Sequence, residues 1–96
     1  MELAHHRLVA NDIASAISRY REAGIHTEEK FLGELASAFV KLGDFPERYH
    51  FDRCGWRRFN LKDFPYHVLY VVELQTVRVM AIRHNHQNPT FGTKRR

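Results

Sequence analysis

Histidine, arginine and lysine are the residue types in this sequence that could act on a phosphate, and they gather in its second half. Arg57, Arg58 and Lys62 precede His67; Arg83, His84 and His86 follow it, and the last three residues are Lys94-Arg95-Arg96. Chemistry at a phosphate needs groups that take and give protons and cations for the charge on the phosphate oxygens. An imidazole, with an ordinary pKa of about 6.5, can be either acid or base. His67, near Arg58 and Lys62 in the sequence, is therefore a candidate general acid or base. The same positive charge also suits binding without chemistry. Arg57, Arg58, Lys62, Arg83, Arg95 and Arg96 are the candidate contacts for a phosphate or an acidic protein. A solvated charged surface is the plain alternative for these cations, and an exposed strand histidine for His67.

Other reactive types point to less. His84 and His86 could supply two metal ligands, but no third has matching spacing, so no metal site is expected. Cys54 is the single cysteine. It excludes an internal disulfide and has no histidine at motif spacing to make it a nucleophile. Trp56 and the phenylalanines and tyrosines read as packing residues, and no cofactor is expected.

The charge is uneven. Residues 1–48 carry six Lys/Arg against eight Asp/Glu, whereas residues 49–96 carry nine against three. A basic half on a chain of 96 residues points to an anionic partner: nucleic acid, an acidic protein or the ribosome. The composition, 44% hydrophobic and 27% charged, is that of one globular domain spanning residues 1–96 and not of a disordered chain. No apolar run is long enough for a membrane span, and Met1-Glu2-Leu3-Ala4-His5-His6 lacks the pattern of a signal peptide, so a cytoplasmic location is expected.

Two helices and a set of strands must position these residues. Val9, Ile13, Ile17 and Tyr20 follow a helical period that Gly24 ends. Thr27, with Glu28 and Glu29 behind it, reads as the cap of a second helix carrying Phe31, Leu35, Phe39 and Leu42. Helices over about 7–23 and 28–42 then form an antiparallel hairpin. After Pro46 the period changes. Residues 56–62, 66–73 and 77–84 alternate or are rich in β-branched and aromatic types, which predicts a three-stranded antiparallel meander. Residues 2–5 are a possible extra edge strand. The expected fold is α+β, with the helical hairpin on one sheet face. Phe59, Leu61, Val68, Tyr70, Met80 and Ile82 are expected to meet the helices, as is His84. Arg58, Asn60, Lys62, His67 and Arg83 are expected on an open face.

The run Phe64-Pro65-Tyr66-His67-Val68-Leu69-Tyr70, then Val77-Arg78-Val79-Met80-Ala81-Ile82-Arg83-His84, then Asn85-His86-Gln87-Asn88-Pro89-Thr90-Phe91, resembles the RelE/ParE toxin superfamily of bacterial type II toxin–antitoxin systems. Asp12-Ile13 and Tyr20 fit the family's first helix, and Arg57-Arg58-Phe59 its first meander strand. Each motif is loose, but together they cover nearly the whole chain in order.

That resemblance implies one of two activities. RelE-like members cut messenger RNA, usually on the ribosome; ParE-like members poison DNA gyrase and need no nuclease residues. Both imply a cognate antitoxin, expected here to be acidic, with operator DNA bound only indirectly through it and no membrane partner. Mapped on the family's nuclease positions, Arg58 keeps a basic residue. Asn60 stands at a position that is basic in the RelE prototype, and His67 and Asn85 stand where arginines are expected. Phe91 stands where a tyrosine is expected and lacks the hydroxyl. Neutral asparagines cannot hold phosphate charge as arginine does. The departure favours the ParE-like branch, with gyrase inhibition; ribosome-dependent RNA cleavage by Arg58, His67 and His86, or a non-toxic binding relative, are the alternatives.

Overall fold

A computed structural model describes residues 1–96. In chain order it contains β1 (Glu2–His5), α1 (Val9–Arg21), α2 (Ile25–Asp44), β2 (Arg57–Asn60), β3 (Tyr66–Val72) and β4 (Thr76–His84). The meander β2-β3-β4 is antiparallel as its short turns require, and β1 adds to β4 in parallel, giving the order β1-β4-β3-β2. The N-terminal strand is therefore present, and it makes the sheet mixed.

The helices form where the apolar period places them. Val9, Asp12 and Ala16 are buried along α1, and Phe31, Leu35, Ala38 and Leu42 along α2. Gly24 breaks the helical run with φ +115°, which an L side chain rarely adopts. It is also the N-cap of α2, which starts at Ile25. Thr27 lies inside the first turn and does not cap the helix, because the glycine break restarts the helix earlier than the hydroxyl would. Against the sheet, Tyr20, Phe31, Phe64 and Tyr66 form an aromatic cluster with ring centroids 4.9–6.0 Å apart, mostly edge to face.

The helix-side core contains Leu61, Val68, Tyr70, Val77, Val79 and Ile82, with Phe59 packed against it. Met80 is the exception to the expected alternation. Leu69 pairs with Ala81 but Tyr70 with Val79, so Met80 is an extra residue in a β-bulge. The bulge shifts the phase of β4: Val79 and Ile82 share the helix side, and Met80, though buried, lies outside that cluster.

The second sheet face is not open as expected. The loop before β2 and the segment after β4 fold over it. Arg83 donates to the Pro89 carbonyl at 2.6 Å and to Asp52 at 2.8 Å. Gly92 comes so close that a Cβ on it would lie 2.9 Å from that of Ala81. His67 and Arg83, expected in solvent, are 1% and 3% exposed.

Past the end of β1, one edge of β4 has no strand partner, and a buried ion pair takes its place. Asp12 Oδ2 accepts from the Ile82 N–H at 3.0 Å, and Arg95 donates to the Met80 carbonyl at 3.0 Å. Arg95 also grips Asp12 with two bonds, at 2.6 and 2.9 Å. The C-terminal tail is thus docked against α1 and β4. No helix is long and apolar enough to cross a membrane.

Candidate functional site

The covered face holds a polar cleft of about 350 Å³, lined by His50, Asp52, Arg58, His67, Arg83 and Asn85 among others. The β3–β4 register sets His67 directly opposite Arg83. Arg58 comes from β2, Asn85 from the turn after β4, and Asp52 from the loop before β2. That loop is fastened by the Asp52 N–H on the Trp56 carbonyl at 2.7 Å and by Arg58 N–H on the His50 carbonyl at 2.9 Å.

Hydrogen bonds fix the state of each group. Arg83 Nε donates to His67 Nε2 at 2.9 Å, and a guanidinium can only donate. His67 Nε2 is therefore an acceptor, which leaves the proton on Nδ1, where it is donated to Asn85 Oδ1 at 2.8 Å. Both ring nitrogens are engaged and the ring is neutral. Burial lowers the His67 pKa to about 4; the Asn85 bond opposes this, and the Arg58 and Arg83 charges add to it.

Asp52 is the counter-ion of the cleft. Its Oδ1 accepts from Arg83 at 2.8 Å and Arg58 at 3.3 Å, and its Oδ2 from the Cys54 N–H at 3.0 Å. Burial pushes its pKa up, but the bonds from Cys54 and the charge of Arg83 and the bond from Arg58 outweigh this and hold it at about 2. Burial in turn pushes the Cys54 thiol up, away from the thiolate a nucleophile needs.

This fold and cleft can be set beside known proteins. The family model described as the ParE toxin of the type II toxin–antitoxin system, parDE, matches residues 4–89. The chain belongs to the ParE toxin family. Among solved structures it is similar to a chain of the chromosomal ParDE TA system from P. aeruginosa. That similarity has a TM-score of 0.76 at 17% identity and covers 88% of this chain and 95% of that one. At that identity the likeness is one of fold. No curated protein gives a significant match.

Within this ParE-family fold the singled-out cations do not form one patch. Of them only Arg58 and Arg83 line the His67 cleft, where Arg53 joins them. Arg57 donates to the Glu47 and Tyr49 carbonyls at 3.2 and 2.8 Å and lies over the Phe51 ring. Lys62 sits in the β2–β3 turn, whose N–H groups at Lys62 and Asp63 are held by the Glu34 carboxylate of α2. Arg95 is bound up with Asp12, and Arg96 is exposed at the far end of β4, where Arg78 donates to its carbonyl.

His86 is also apart from His67. It lines a second cleft with His84, Arg19, Ser15 and Tyr66. His84 stacks edge-on to Tyr66 and accepts the His86 N–H on its Nδ1, a packing role on the helix side. The residue that sequence reasoning missed is Asp52. Its signal was its scarcity: it is one of three acids in the basic half.

Proposed function

We propose that this ParE-family toxin acts by binding and trapping DNA gyrase, and that a cognate acidic antitoxin neutralises it. The observation that carries this choice is the engagement of both His67 nitrogens. A general base needs a free lone pair and a general acid needs a proton at neutral pH. The His67 lone pair is occupied by Arg83, and its pKa of about 4 keeps the ring neutral, with its one proton engaged by Asn85. Arg83 and Arg58 spend charge on Asp52 that a nuclease would direct at phosphate. His86 lies in a different cleft. These features support a binding toxin over a messenger RNA nuclease. The excess of cations in residues 49–96 supports an acidic antitoxin.

The test is pulse labelling of new DNA and new protein in a bacterium after inducing the chain alone. DNA synthesis is expected to stop first while translation continues. If protein synthesis stops first, the nuclease reading replaces this one. If both continue at confirmed soluble expression, the chain is a non-toxic relative.

A further inference from the structure

A third cleft, which shares no lining residue with the His67 cleft, lies between the β1–α1 junction and the C-terminal turn. It is wide, about 630 Å³, and is lined by His6, Arg7, Leu8, Lys94, Arg95 and Arg96 with Thr90 and Gly92. No acid lines it. Arg7, Lys94 and Arg96 take part in none of the five ion pairs of the protein. Asp12, the carboxylate that holds the cleft's Arg95, is already committed to Arg95 and to the Ile82 N–H.

His6 is 93% buried, at 7% exposure, yet one of its nitrogens is unused. Nδ1 accepts the Leu8 N–H at 3.1 Å, so in the neutral ring the proton is on Nε2. Nothing in the protein accepts from Nε2. Every fully enclosed polar side-chain atom does have a partner, so Nε2 is not fully enclosed, and His6 is one of the residues that line this cleft. Burial, then the charges of Arg95, Arg78 and Arg7, lower the His6 pKa against the pull of Asp12 and so favour the neutral ring, a donor only at this position. The start of α1 lies on the same wall, and its N-cap, Leu8, makes no side-chain cap bond. The positive end of the helix therefore adds to the field.

We propose that this cleft binds a phosphate group through the His6 Nε2–H and the side chains of Arg7, Lys94 and Arg96. A fixed N–H donor together with guanidinium and ammonium groups suits a tetrahedral, multiply charged oxyanion. The volume leaves room for whatever carries the phosphate. The site is separate from the Arg58–His67 cleft and stands whether or not gyrase is the target.

The test is NMR of the full chain at pH 7.5 and constant ionic strength, titrated with inorganic phosphate or with chloride. Phosphate is expected to shift the His6 ring signals saturably, and chloride is not. Arg7→Gln, an exposed change, is expected to weaken binding about tenfold. His6→Asn keeps an acceptor for the Leu8 N–H but is too short to place a donor at the Nε2 position, and is expected to weaken it similarly. A short oligonucleotide separates the two sources of phosphate. Binding much tighter than inorganic phosphate, centred on His6, assigns the site to a nucleic-acid backbone; equal binding assigns it to small phosphates. The proposal is overturned if chloride gives the same shift, or if Arg7→Gln changes nothing. It also fails if only a glutamate-rich peptide shifts His6.

Discussion

Replacing Asp52 by Asn should be among the most damaging near-isosteric changes available to this protein. Asn keeps the volume and one acceptor oxygen but removes the charge that balances two guanidinium groups. Arg58 is 26% exposed and can turn to water; Arg83, at 3%, cannot. The variant therefore leaves a buried cation without its counter-ion, and its new NH2 group must face either Arg83 or the Cys54 N–H, both donors. Breaking a buried pair from one side costs about 3 to 5 kcal/mol. For a domain near 100 residues that lowers Tm by well over about 10 °C. Urea unfolding at pH 7.5, followed by the fluorescence of Trp56, the single tryptophan, measures it directly. The double change Asp52→Asn with Arg83→Met should recover part of the loss, because it removes the stranded charge. A loss below about 1 kcal/mol, or a double variant no better than the single, would refute the view of Asp52 as the counter-ion of a buried network.

Other outcomes follow from the same geometry. Stability should fall with acid in two windows. The unfolded chain protonates His67 near 6.5 and the folded chain only near 4, so stability present above pH 6.5 is lost on descent to about 4. With water at the cleft mouth screening part of the effect, this window is worth about 2 to 3 kcal/mol. Asp52, at about 2 folded against 3.8 unfolded, extends the loss below pH 4. Urea midpoints across pH 3 to 8 check this, and a flat profile between 4 and 6.5 contradicts it. Arg95→Ala should cost about 2 to 3 kcal/mol by leaving Asp12 buried and half-paired, and should speed hydrogen exchange at the Ile82 amide; unchanged exchange there would contradict the edge-cap role. Gly92→Ala should lower stability by about 1 to 3 kcal/mol, since φ is +75° and the new methyl meets Ala81 at 2.9 Å. A neutral thermal melt would show that the C-terminal turn is not held where described.

The helices and the meander were legible because burial on one side leaves a period, and Val9 to Ala16 or Phe31 to Leu42 keep it without interruption. What local pattern could not show was set by contacts between distant residues. The bulge at Met80 changes the phase of β4 with no glycine or proline to mark it; its carbonyl is satisfied by Arg95 from the end of the chain. Alternation placed His67 and Arg83 on the face away from the helices, but could not reveal that the Asp52 loop and the Pro89–Gly92 segment cover that face. The candidate site was half visible for the same reason. Arg58, His67 and Asn85 do converge, while the acid that decides their state comes from a loop with no periodic signal.

The most direct test of the central claim is DNA supercoiling by purified gyrase in the presence of the purified chain, run beside cell-free translation of a defined messenger. The account predicts dose-dependent loss of supercoiling, relieved by the cognate antitoxin, with the messenger intact and translation undiminished. Full supercoiling together with a cleaved messenger would contradict it and would assign proton transfer to a cleft whose histidine is held neutral at both nitrogens.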